Sequence, residues 1–332
     1  MNKLNTAKRA AILSALAEGT SMRSTTRMTG CSINTVTELL VDAGAACEKY
    51  QDAVMNKVTC ERIQRDEIRA VRYSKQGNVP EDRVGVKGYG DVWTWVAIDA
   101  DTKLIPPWVM GLRDIEHANE FMMDLAPRLA NRVRLTTDGL HLYGEAVGMG
   151  FDGNVDYARI VKTHGMMPGA PGRYSPGVRT GASKRPVAGN PDPAHISTSF
   201  VERQNLTMRM GMRRFTRLTN SFSKKLENLG HSIALHFMHH NFIRRHKTLR
   251  MSPAMATKLW SIEDVVNLIG RLDRPNPVPS RSNPNFRLRH YHATRHNAHY
   301  RTPSRTQRSP LPTTPAAGRP PPRPRGPPVS RP

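Results

Sequence analysis

Three carboxylates stand where an α/β layer fold would turn them toward one cleft. Asp66 lies inside an extended run, Asp138 closes a short run rich in β-branched residues, and Glu202 sits in the first turn of a late helical segment. A hard divalent cation takes several oxygen ligands, and Mg²⁺ commonly uses one or two carboxylates together with waters and phosphate oxygens. The trio therefore has the chemistry of a metal site. Each acid also has a plainer reading. Ser199 to Glu202 fits a capping box, Asp138-Gly139 fits a turn, and Asp66 could pair with Arg65 or Arg69. Alternation along the first run does not decide between Asp66 and Glu67. A second group, His236, His239 and His240, has the i, i+3, i+4 spacing of helical zinc ligands, but no HExxH accompanies it and packing or DNA contact is the better reading.

The elements that would position these residues follow from periodicity. Arg62–Tyr73, Asp91–Asp99, Leu104–Gly111 and Val133–Thr137 read as strands, and a further strand passes through Ile160 and Val161. Glu116–Leu129 reads as a helix with Phe121, Leu125 and Leu129 on one face. Residues 165–193 are a Gly/Pro-rich loop, long enough to suggest a functional segment. Helix returns near Ser199, and Leu218, Phe222, Leu226, Leu229, Ile233 and Phe237 mark an apolar stripe with a break near Asn220-Ser221. This order describes an α/β layer fold. Ahead of it, Lys8–Glu18, Ser21–Met28 and a helix capped by Ser32 have helix-turn-helix spacing. Gly30 permits the turn, Val36 packs inward, and Asn34, Thr35 and Thr37 remain outside to reach base edges.

The charge balance selects the partner. The chain has 332 residues, 50 Lys+Arg against 27 Asp+Glu, and a formal charge of +23. Residues 271–332 hold 13 arginines and 15 of the 26 prolines with a single acid, Asp273, so they read as a disordered basic tail. Removing that segment's +12 (13 − 1) leaves +11 on residues 1–270, so the ordered part is itself basic. A polyanion is the simplest partner, since each neutralised phosphate releases condensed counterions. Arg203, Arg209, Arg213, Arg214, Arg217, Lys224 and Lys225 follow Glu202 without an acid until Glu227. On an isolated helix such a run is a solvated face, but beside a metal ligand it reads as a phosphate-binding track. Arg244, Arg245, Lys247 and Arg250 would extend it. His195 and Asn205 lie near Glu202 without an assigned role. No run is long and apolar enough for a membrane span, and the expected location is cytoplasmic and nucleoid-associated.

Several long blocks carry a family resemblance. QRDEIR (64–69), GYGDVWTWVAIDADTKLI (88–105), LANRVRLTTDG (129–139), GNPDPAHISTSFVERQNLTMRMGMRRFTRLTNSFSKKLEN (189–228) and HFMHHNFIRRHKTLRMSPAMA (236–256) resemble, in order, the insertion-sequence-one family of DDE transposases. The resemblance spans about residues 1 to 270, with Arg69 standing where relatives usually carry an aromatic. It implies a helix-turn-helix domain over 1–55, a ribonuclease-H-like catalytic domain over 56–270, and Asp66, Asp138 and Glu202 as catalytic metal ligands for Mg²⁺ or Mn²⁺. The spacings are 72 (138 − 66) and 64 (202 − 138). The implied activity is binding of terminal inverted repeats, cleavage, and strand transfer to target DNA by a homo-oligomer assembled on the DNA ends. An inactive DNA-binding regulator derived from such an element, or a metal-dependent nuclease without joining activity, are the alternatives.

Overall fold

The computed structural model describes residues 4–84, 89–165, 178–216, 222–244 and 258–272. The chain opens with three helices, α1 (Thr6–Ala17), α2 (Met22–Thr29) and α3 (Ile33–Val54). Each begins at a side-chain cap that satisfies an otherwise unpaired amide. Asn5 accepts from Lys8 N, Ser21 from Ser24 N and Ser32 from Thr35 N. Gly30 ends α2 at φ +66°, a left-handed conformation that glycine reaches without strain.

Val36, Leu39, Leu40, Ala43 and Cys47 form the buried stripe of α3. They belong to one continuous core that also takes in the sheet, α7 (Leu226–Met238) and α8 (Ile262–Leu272). The expected 1–55 unit is thus packed on helices from the far end of the chain. At the crossing of α3 with α7, a Cβ on Gly44 would meet His231 Cβ at 2.3 Å and its Cα at 2.5 Å. Gln51 Nε2 seals the same seam by donating to Ala234 O at 3.1 Å. Alanine favours a helix interior over glycine by roughly 1 kcal/mol, but at Gly44 the added methyl meets backbone that cannot move independently. We expect Gly44→Ala to destabilise by about 1–3 kcal/mol, read as a lowered melting temperature.

The sheet has six strands, β1 (Arg62–Arg72), β2 (Gly90–Asp99), β3 (Trp108–Gly111), β4 (Val133–Asp138), β5 (Val155–Gly165) and β6 (Val178–Ala188), in the order β3-β2-β1-β4-β5-β6. β1 lies parallel to β4, and β4 to β5, while β2, β3 and β6 pair antiparallel with their neighbours. α4 (Ile115–Arg128) and α5 (Tyr143–Phe151) cover one face, where Arg65 of β1 meets Phe121 and Tyr143. α6 (Ser199–Gly211) lies on the other, where Gln64 and Asp66 point.

Four elements differ from expectation. β3 is shorter because Pro106 and Pro107, which lack an N–H for the ladder, precede it. The expected 165–193 loop contains β6, an exposed edge strand whose Pro186 and polar residues are tolerated there; residues 166–177 lie outside the described ones. α5 carries Gly144, Gly148 and Gly150, which weaken its helical signal, and Gly150 lets it approach Met122 of α4. α8 takes in residues 271 and 272, the first two of the expected tail, whose remainder lies outside the described residues. In the late stripe, Leu226, Leu229, Ile233 and Phe237 are buried, Phe222 is exposed, and Leu218 lies outside the described residues, as does the expected break at Asn220-Ser221.

Candidate metal centre

The parallel register of β1 and β4 assembles the centre. Arg65 is opposite Thr137, so one step further along both strands sets Asp66 beside Asp138 on the same face. Asp66 Oδ1 accepts from the Glu67 amide and Oδ2 from Asn205 Nδ2, both at 2.9 Å. Asp138 Oδ1 accepts from Leu140 N at 3.2 Å, which folds the turn after β4 back toward the carboxylate. Each carboxylate oxygen can accept more than one bond, so both side chains keep acceptor capacity.

α6 brings the third acid. No side chain caps its N-terminus from the preceding residue, Thr198. Gln64 of β1 does so from the sheet, its Oε1 accepting from Phe200 N at 2.8 Å and Val201 N at 3.3 Å. Asn205, one turn further along α6, makes the second attachment through Asp66. Glu202 lies between these anchors. Its carboxylate accepts from the Thr198 hydroxyl and pairs with Lys162 Nζ, which replaces the amide capping that Ser199–Glu202 suggested. Lys162 comes from β5, two residues past Ile160, the partner of Asp138. It also donates to Thr198 Oγ1 at 2.9 Å.

Among the described residues, the acids whose ligand atoms gather within 4.8 Å of one another are Asp66, Glu67 and Asp138. Glu202 stands outside that group and reaches it electrostatically through Lys162. Glu67 belongs to the opposite side of β1. Arg113 Nε donates to it at 2.5 Å, Arg65 lies 3.6 Å away, and the Tyr143 hydroxyl binds its other oxygen. Arg113 also lies 3.8 Å from Asp138, linking the two faces.

Burial raises the pKa of Asp66, and the nearby charge of Asp138 raises it further, against the Glu67 amide, Arg65 and Lys162. Burial pushes Glu67 up to about 7. Lys162 is pulled down by burial, and Asp66 and Asp138 hold it back. Two carboxylates brought together and partly dehydrated, with Arg113 beside Asp138 and Lys162 in their field, make a donor set of hard oxygens that favours positive charge. The residues fit a hard metal cation.

The other expected residues are dispersed. Asn34 is exposed at the start of α3. The Thr35 hydroxyl shares a bond with Ser32, and Thr37 donates to Ile33 O. Arg203 is exposed beside Glu202, and Arg209 is half-buried on the same helix. Arg213, Lys224 and Lys225 are exposed and line, with Arg23 and Thr37, a cavity of about 550 Å³ beside the N-terminal helices. Arg214 also lines this cavity, yet its guanidinium donates to Asn228 O and burial lowers its pKa to about 10; it fastens α7 rather than facing solvent. Arg217, Arg245, Lys247 and Arg250 lie outside the described residues. Arg69 pairs with Asp91 across β1 and β2 at 3.4 Å. His195 bonds Arg62 at 3.0 Å and lies 3.6 Å from Asp192.

The three late histidines diverge. His239 faces Glu18, His240 bonds Lys103 O, and His236 is buried with neither ring nitrogen finding a hydrogen-bond partner among the described residues. Burial holds His236 down to about 3, with His239 and Arg244 adding to the effect. Its folded pKa is depressed, so its contribution to stability is present above pH 6.5 and is lost as pH falls toward 3. Between pH 7 and pH 5 this loss is roughly 2 kcal/mol. We expect His236→Leu to flatten that acid limb in urea unfolding measured at the two pH values.

No protein-family model matches the chain, and no curated protein matches it in sequence. Among solved structures, it is similar to the cryo-EM structure of a piggyBac transposase synaptic complex with hairpin DNA. The identity is 11% over 85% of this chain and 79% of that chain, with a TM-score of 0.38.

Proposed function

We propose that the chain is a DDE-type DNA transposase of the insertion-sequence-one kind, in which Asp66, Asp138 and Glu202 hold divalent cations. The observation that carries this reading is the pairing of Asp66 and Asp138 on adjacent parallel strands, with Glu202 linked to them through one lysine. A sheet with its first strand at the centre and its acids at the carboxyl edge of β4 supports a ribonuclease-H-like domain, since open α/β sheets bind ligands at that edge.

When bound, Mg²⁺ or Mn²⁺ would stabilise charge on the attacking and leaving oxygens of an in-line displacement at phosphorus. The chain's own part is to aim oxygen ligands. Asp66 is fixed by Asn205 and the Glu67 amide, and Asp138 by its turn. Arg203, exposed next to Glu202, would take a DNA phosphate, and Asn34 at the start of α3 would read base edges. The excess positive charge favours DNA as partner. Among the described residues no helix is long and apolar enough to cross a membrane.

The test is an in vitro reaction of the full chain with duplexes bearing the DNA that flanks its coding sequence, with Mg²⁺, with Mn²⁺, and with EDTA. Metal-dependent nicking followed by joining to a target plasmid is expected. Nicking without joining would reduce the protein to a nuclease, and sequence-specific binding without either would make it a regulator.

A further inference from the structure

Lys162 is absent from every motif that suggested the centre, yet it is the cation paired with Glu202, while Arg113 is the one beside Asp138. Its ammonium holds Glu202 and Thr198 and lies in the field of Asp66 and Asp138. The Lys162 side chain is 19% exposed, so it has little solvent to retreat into without leaving Glu202. A cation bound by Asp66, Asp138 and Glu202 together would share the carboxylate whose Oε1 Lys162 and Thr198 now hold. We propose that Lys162 is a positioning residue that competes with the divalent cation for Glu202, holding that carboxylate in the metal-free protein and giving it up on metal loading.

The proposal rests on the reading of the three acids as ligands. It has a consequence for DNA. An ammonium displaced from Glu202 needs another anion, and a DNA phosphate arriving beside Arg203 supplies one. DNA that occupies Lys162 therefore frees Glu202 for the metal, and by linkage each ligand tightens the other.

The experiment is Mn²⁺ binding to the full chain, followed by calorimetry and by the electron paramagnetic resonance of free Mn²⁺, for wild type, Lys162→Met, Glu202→Gln and the double variant. Lys162→Met should tighten Mn²⁺ by roughly 3- to 5-fold, the worth of one partly exposed ion pair. In the Glu202→Gln background the same change should have less than about a twofold effect, because the contested ligand is gone. A random-sequence duplex should tighten Mn²⁺ binding in wild type and do so less in Lys162→Met. Equal tightening in both backgrounds would make Lys162 a general source of repulsion and overturn the competition, as would unchanged affinity in Lys162→Met. If Lys162→Met fails to fold, Lys162→Gln serves in its place. Mn²⁺ binding that is absent in wild type, or indifferent to Asp66→Asn, would instead overturn the assignment of the acids themselves.

Discussion

Asp66→Asn and Asp138→Asn should each lower metal-dependent strand transfer by at least about 10³-fold, because loss of one anionic ligand forfeits several kcal/mol of charge stabilisation and each 1.36 kcal/mol is tenfold in rate. A generally damaged fold would lose activity too, so stability supplies the discriminating measurement. Asp66 has a raised pKa, caused first by burial and then by Asp138. Its ionised form is therefore less favourable in the folded chain than in the unfolded one. The stability it contributes is present below the unfolded carboxylate pKa and is lost as pH rises through the folded value. Asparagine resembles the protonated form in shape and charge: its amide oxygen can keep the bond from the Glu67 amide, and its NH2 can donate to Asn205 Oδ1 once the Asn205 amide turns over. At pH 8 in EDTA, Asp66→Asn should therefore melt at or above wild type. Addition of Mn²⁺ should raise the melting temperature of wild type and leave the variant nearly unmoved. Strand transfer at the wild-type rate by either variant would sink the metal-centre assignment. A fall in melting temperature in EDTA would show that Asp66 is a structural acid.

Asp66 and Asp138 were legible because both lie in strands with strong β-branched or alternating character and because parallel strands align equivalent positions. Alternation left Asp66 and Glu67 undivided, and only the family resemblance named Asp66; their surroundings separate in three dimensions. The two alternate across β1, and only the packing of α6 on one face and of α4 and α5 on the other tells which acid meets Asn205 and which meets Arg113 and Tyr143. Glu202 was visible as a helix-start acid, but its partner was not. Lys162 is 40 residues away (202 − 162) and meets it only because β5 lies next to β4. The three N-terminal helices were plain from Ser21, Gly30 and Ser32, whose capping is local chemistry. Their docking on α7 depends on Gly44 and Gln51, whose roles arise only where two distant helices cross. β6 escaped notice because a strand exposed on both faces has no burial alternation to read. Arg214 was misplaced for the converse reason: a charge within a basic run carries no mark that its own guanidinium turns inward.

Arg65→Ala should be the most destabilising single change on β1, at about 3–5 kcal/mol. The Arg65 side chain has no solvent exposure, and its guanidinium carbon lies 4.0 Å from the centroid of Trp95, 3.9 Å from Tyr143 and 4.7 Å from Phe121. Among the described residues, none of its side-chain nitrogens has a hydrogen-bond partner. Burial lowers its pKa to about 9, so it remains charged at neutral pH and is held by aromatic faces and by Glu67 at 3.6 Å. A desolvated cation over one ring is worth roughly 2 kcal/mol, and here three rings share one cation. Alanine would leave a void between those rings and take from Glu67 the cation that most lowers its pKa. Arg65→Met separates the two effects, since it fills the space without the charge, and it should cost less than half as much as alanine. Without Arg65 the folded pKa of Glu67 rises further above about 7, so the stability tied to its protonated form is lost as pH rises through that value. The penalty of Arg65→Met should accordingly be larger at pH 8 than at pH 5.5 in urea unfolding. If Arg65→Ala lies within about 1 kcal/mol of wild type at both pH values, the guanidinium is not the core of the α4–α5 face, and the rigidity of β1 on which Asp66 depends must come from its pairing with β2 and β4 and from the Gln64 and Asn205 attachments to α6.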